Sequence, residues 1–99
     1  MTINKNAEGS KLTLALEGRL DSTTAPELQS VIKESVDGIE ELTIDMTDLE
    51  YVSSAGLRVL ISAHKAMRSK GGMTVTNVNE IVMEVFEITG FAEILNIQK

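Results

Sequence analysis

The stretch Thr47-Asp48-Leu49-Glu50-Tyr51-Val52-Ser53-Ser54-Ala55-Gly56-Leu57-Arg58-Val59-Leu60 joins two segments of different hydrophobic period. Before it, Leu42, Ile44 and Met46 alternate with Thr43, Asp45 and Thr47, the pattern of a strand with one buried face. After it, Leu57, Leu60, Ile61, His64 and Met67 recur at helical spacing, which predicts a helix from about Ala55 to Ser69, ended by Gly71-Gly72. The joint holds two hydroxyls, a small residue and a glycine. A helix N-terminus carries unpaired N–H groups and a partial positive charge, so Ser53 or Ser54 can cap it. The same geometry would hold a phosphate attached to a serine there. From these residues alone an ordinary cap is the simpler reading.

The alternation of short strands and longer helices continues on both sides. Leu12, Leu14 and Leu16 alternate with Thr13, Ala15 and Glu17, and Met73 and Val75 alternate with Thr74 and Thr76. Ile3 to Ala7 reads as a weaker edge strand. Thr24-Ala25-Pro26-Glu27 has the form of a capping box with Pro in the first turn. Leu28, Val31, Ile32 and Val36 then make one stripe that Gly38 stops. Asn79 is placed to cap a third helix bearing Ile81, Val82, Val85 and Phe86 and closed by Gly90. Phe91, Ile94 and Leu95 predict a final helical turn docked on the core.

Strand-helix alternation implies right-handed crossovers and mostly parallel strands. A doubly wound sheet, buried on both faces, would have continuous apolar strands. These strands alternate, so the expected fold is a single-layer α/β domain. It has a mixed, mostly parallel sheet of four to five strands, with helices on one face and the other face wet. At 99 residues, the chain is expected to form one domain over 1–99.

Composition narrows the function. A 42% hydrophobic and 24% charged chain is of ordinary globular type. With no Cys, disulfides and thiolate metal sites are excluded. No apolar signal core opens the chain and no run is long enough for membrane insertion, so a cytoplasmic location is expected. A net charge of −6 argues against nucleic acid, whose phosphates attract clustered Lys and Arg. One Tyr and two Phe are too few for a base-stacking platform. An acidic surface also favours a basic protein partner.

Catalytic constellations are scarce. The single His, His64, falls on an apolar helical stripe, where a packing role is the simpler one. No second His and no Cys exists to complete a nucleophile–base pair or a metal site. The glycines form neither a dinucleotide fingerprint nor a Walker A loop, so no cofactor is expected. Paired acids (Asp45 with Asp48, Glu40 with Glu41) leave only a carboxylate hydrolase as an enzyme reading.

What remains is one edge. In parallel α/β units the carboxyl ends of strands and the amino ends of helices share the edge where ligands and partners bind. Asp21 is expected to follow the second strand there, and Asp45 and Asp48 the third. The candidate partner contacts on this edge are Asp21, Asp48, Ser53, Ser54, Ala55, Gly56 and Arg58. Asp near a helix N-terminus has a purely structural account too, worth ~0.3–1 kcal/mol.

These motifs, in this order, resemble the STAS domain family. Gly18-Arg19-Leu20-Asp21, followed by Ala25 and Leu28, is similar to its G-x-L-D opening. Asp48-Leu49-Glu50-Tyr51-Val52-Ser53-Ser54-Ala55-Gly56-Leu57 is similar to its signature, in which D-L, two residues and two hydrophobics precede D-S-S/T-G-L. The tail from Gly72 through Val85-Phe86 to Thr89-Gly90-Phe91 resembles the family as well, so the likeness covers nearly the whole chain. Similar stand-alone members are bacterial anti-sigma factor antagonists.

The resemblance implies a partner switch in the regulation of transcription. The unphosphorylated antagonist binds an anti-sigma factor that is also a serine kinase, freeing the sigma factor. Phosphorylation of the signature serine dissolves the complex, and a phosphatase resets it. Aligned on the glycine, that serine is Ser54. The chain departs from the signature twice, with Ser53 in place of Asp and Ala55 in place of a second Ser or Thr. Ser54 is therefore the first candidate and Ser53 the second. The alternative is a STAS subunit of another assembly, such as a lipid transporter or stress complex, whose serine is not phosphorylated.

Overall fold

The computed structural model describes residues 1–98. Five strands and three helices follow one another as β1 (Thr2–Glu8), β2 (Lys11–Leu20), α1 (Ala25–Ser35), β3 (Glu41–Val52), α2 (Ser54–Met67), β4 (Met73–Thr76), α3 (Glu80–Thr89) and β5 (Asn96–Gln98). The sheet order is the chain order, β1-β2-β3-β4-β5. β1 runs antiparallel to β2, and every other pairing is parallel. This is the expected one-sided mixed sheet, at five strands.

The side-chain alternation explains the single layer. Leu12, Leu14, Leu16, Leu42, Ile44, Met46, Met73 and Val75 point to one face and are buried with Leu28, Leu60 and Phe86 from the helices. On the other face Thr13, Thr43 and Thr74 stand in one row across the strands. They are half-buried by their row neighbours and not by a second helical layer.

β3 is longer than its alternating half predicts, and it carries Asp45 and Asp48 within the strand and not after it. The cause is its register against β2. Ala15 faces Asp45 while Glu17 faces Asp48, and Gly18 faces Leu49 while Arg19 faces Tyr51. β3 thus holds two extra residues, and each extra residue resets the pleat. Met46, Leu49 and Val52 all point inward as a result, although three apart in sequence.

Several local expectations are corrected. Thr24 is the N-cap residue of α1 but makes no capping hydrogen bond, so the capping box does not form. Its hydroxyl instead donates to the Arg19 carbonyl at 2.8 Å and accepts from the Asp21 N–H at 2.9 Å. α2 starts at Ser54 and ends at Met67, and its inner face adds Val59 and Ala63 to Leu57, Leu60 and Met67. Ile61 and His64 are only half-buried. In α3 the buried centre is Val82 and Phe86, which turns Ile81 outward to 62% exposure. Ile94 is likewise exposed. The turn predicted from Phe91, Ile94 and Leu95 is present as a 3₁₀ turn over Phe91–Glu93, followed by the unforeseen β5.

Leu60 is fully buried, so Leu60→Ala should cost ~2–5 kcal/mol in urea unfolding through the cavity it leaves. Ile81→Ala should stay within about 0.5 kcal/mol of the parent, because its side chain already meets solvent.

Candidate functional site

The carboxyl end of β2 and the amino end of α2 meet at a backbone hydrogen bond. The Ser53 N–H donates to the Leu20 carbonyl at 2.8 Å. This places Ser53 beside Asp21, the residue that follows β2. Ser53 has extended backbone and is the N-cap of α2, its hydroxyl accepting from the Gly56 N–H. Its carbonyl accepts from the Leu57 N–H at 2.9 Å. Gly56 permits this docking. A Cβ on it would lie 2.6 Å from Leu20 Cγ and 3.0 Å from Val52 Cγ2, both in the core.

Ser54 is the first residue of α2 and is exposed. No hydrogen bond of its hydroxyl to another described residue is present. The two candidate serines therefore differ in state, one committed to the cap and the other free. Ala55 and Arg58 lie along the side of α2 that faces α1, lining a hollow of about 270 Å³ together with Ser22, Ala25 and Gln29.

Asp21 is held by its own loop. One carboxylate oxygen, Oδ1, accepts from the Thr23 hydroxyl at 2.6 Å and from the Thr23 and Thr24 N–H groups at 3.0 and 3.2 Å. These bonds, the Thr23 hydroxyl first, favour the charged form and lower the Asp21 pKa from 3.8. Asp21, not Thr24, thus satisfies the N–H groups leading into α1.

Asp45 and Asp48 do not join this cluster. Asp45 accepts from the Thr47 hydroxyl at 2.6 Å, the Thr47 N–H at 3.0 Å and Asn77 Nδ2 at 3.0 Å. The Thr47 hydroxyl and then Asn77 lower its pKa from 3.8. It ties β3 to the loop after β4. Asp48 is exposed in mid-strand opposite Glu17. His64, half-buried on α2, has a buried Nδ1 with no hydrogen-bond partner.

Two features of this edge escaped the sequence reading. Arg19 lies 4.7 Å above the Tyr51 ring, across the β2–β3 pair, a cation–π contact worth ~0.5–1 kcal/mol at an exposed site. Asn79 does more than cap α3. Its Oδ1 accepts from the Val82 N–H at 2.8 Å while its Nδ2 donates to the Leu49 carbonyl at 2.7 Å. The cap was readable from the sequence; the tie to β3 depends on its bulge.

An open sheet, one helical layer and a free serine at a helix start define a class. The chain matches the STAS domain family over residues 2–99 and belongs to it. It is similar to BtrV of Bordetella bronchiseptica, whose name assigns it to the anti-sigma factor antagonists: 36% identity over 85 residues, covering 84% of this chain and 73% of that one. The anti-sigma-B factor antagonist of Bacillus subtilis is 27% identical over 100 residues, covering 98% and 92%. Solved structures share the fold. An anti-sigma factor antagonist from Mycobacterium paratuberculosis superposes with a TM-score of 0.89 at 22% identity, covering 98% of this chain and 84% of that one. The Bacillus cell fate determinant SpoIIAA in its phosphorylated form superposes at 0.77 and 13% identity, covering 99% and 92%. No described helix is long and apolar enough to cross a membrane.

Ser53→Ala should cost ~0.5–2 kcal/mol by removing the α2 cap, whereas Ser54→Ala should be near neutral, both read by thermal or urea unfolding. The Asp45 pKa is lowered in the folded state, so its stabilisation is present above the ordinary value of 3.8 and lost as pH falls through the lower folded value. Asp45→Asn should therefore be less stable than the parent at neutral pH, and the gap should close in acid. NMR titration of the Asp45 carboxyl below 3.8 would check the cause directly.

Proposed function

We propose that this domain is an anti-sigma factor antagonist, a binding module without catalysis of its own, switched by phosphorylation at Ser54. Unphosphorylated, it binds a cytoplasmic anti-sigma factor with serine kinase activity and so releases the sigma factor. The kinase then modifies Ser54, the complex separates, and a phosphatase restores the free hydroxyl. The names of the similar proteins support the antagonist reading. The observation that carries the choice of residue is the contrast between the two serines. Ser53 is occupied as the cap, while Ser54 is exposed with an unengaged hydroxyl.

The contact surface of this reading is centred on Ser54, with Asp21, Ser53, Ala55 and Arg58; Asp48 stands apart on β3, and Gly56 is buried and acts only by letting α2 dock. Phosphate adds about −1.5 to −2 charge. At the first turn of α2 that charge is compatible with the folded domain, because the helix end is positive. Packed against a partner it has no such compensation. An unpaired charge in an interface costs roughly 3–5 kcal/mol, or two to three decades of affinity. A passive STAS subunit of another assembly is the second reading, favoured by Ser53 standing where the family signature has Asp.

Incubation with the cognate kinase and ATP, followed by mass spectrometry, tests the reading. Phosphate should map to Ser54, and Ser54→Ala should abolish it while retaining binding to the kinase. Ser54→Asp should weaken binding, though less than phosphate does, since a carboxylate carries less charge. Phosphate at Ser53, or undiminished binding by Ser54→Asp, would instead favour the passive subunit.

A further inference from the structure

The most exposed large apolar side chains gather on and just after α3. Three of the four such residues, Ile81, Ile88 and Ile94, belong to α3 and the turn after it. Ile81 and Ile88 are 62% and 77% exposed and are two helical turns apart, so they stand on one stripe. Beside that stripe run Glu80, Glu84 and Glu87, all exposed, at helical spacing of their own. Between Gly71 and Gln98 the chain has four Glu and no Lys or Arg. Single exposed apolar residues need no explanation, but an apolar ridge flanked by carboxylates on one side of a helix describes a contact surface.

The same chain carries the complement. Between α1 and α2 run two adjoining hollows of about 270 and 180 Å³, which share Gln29, Val59 and Ser62. The second has a mainly apolar lining, including Ile32, Ala63 and Ala66. Lys33 and Arg58 line the two hollows, and no carboxylate does. Neither cation is in a salt bridge among the described residues. Ridge and groove also match in length, since helices of ten and eleven residues each span about 15 Å.

We propose that the occupant of the α3 ridge is a second copy of this chain. Ile81 and Ile88 of one copy seat in the α1–α2 groove of the next, with Glu84 and its neighbours facing Lys33 and Arg58. Ridge and groove are different surfaces, so the contact is head-to-tail and leaves a free ridge and a free groove at the ends. One helix in one groove falls short of the ~1,200 Å² of a standard stable interface, so association is weak and rises with concentration. Arg58 also belongs to the proposed kinase-binding surface, so self-association and partner binding compete. The inference holds whether or not Ser54 is phosphorylated.

Sedimentation velocity on the full chain, from micromolar to millimolar concentration, tests it. The average mass should climb from the 10.8 kDa monomer past that of a dimer, and should fall again at high salt. Ile88→Asp removes the ridge and Ala66→Glu blocks the groove, each at an exposed position, so both variants stay folded with melting only slightly lowered by a negative charge in the last helical turn. Either variant alone should remain monomeric. Mixed, they should form a one-to-one complex that grows no further, because the first keeps its groove and the second its ridge. A parent chain monomeric at millimolar concentration, a variant that still associates, or a mixture that fails to pair would each overturn the proposal. A monomeric parent would leave the ridge to a basic partner of another kind.

Discussion

Gly56 rests against Leu20, and the geometry of the candidate site depends on that contact. Without a side chain, the first turn of α2 comes close enough to β2 for Ser53 to bond the Leu20 carbonyl. That bond sets the helix start directly over the strand end and beside Asp21. Any Cβ here would push into Leu20 and Val52, both buried in the core. The position of Ser54 relative to the α1 loop is therefore set by core packing and not by the loop itself.

Hydrogen bonding around this contact divides the polar groups into committed and free. Asp21 and Asp45 each accept from the N–H and hydroxyl of the threonine two residues on, Thr23 in the loop before α1 and Thr47 at the irregular part of β3. Ser53 and Asn79 satisfy the N–H groups of α2 and α3. Of the two serines at the start of α2, Ser54 alone keeps a hydroxyl outside this bonding. The structural roles of the acids leave recognition to fewer residues than the motif alone would suggest.

Most of the architecture could be read from the alternation of Leu12–Leu16, Leu42–Met46 and Met73–Val75, because period two with one polar face permits only one helical layer. The helices were placed by their stripes and by Asn79 and Gly90. What failed were features decided by register and phase. The extra residues in β3 break the period after Met46, so Leu49 and Val52 carry no strand signal in the sequence, and the alternation alone predicts Asp45 and Asp48 beyond the strand. Ile81 is apolar and adjacent to Val82, yet a rotation of one residue in helical phase moves it to solvent. Thr24-Ala25-Pro26-Glu27 had the letters of a capping box, but Asp21 supplied the acceptor first. The serine pair was found from sequence, while the division of labour between Ser53 and Ser54 needed backbone geometry.

The identity of sheet order and chain order has a consequence for how the domain is assembled. No strand has to insert between two that are already paired. The β1–β2 hairpin closes over a short turn, and each later βα unit adds its strand to the edge left open by the one before. Loop closure is thus incurred in small, separate steps along the chain. During synthesis from the N-terminus, each emerging strand meets a template already formed, and the growing edge is the only unpaired one awaiting a neighbour. Such a topology suits vectorial folding, with the three-residue β5 as the last and most easily detached strand.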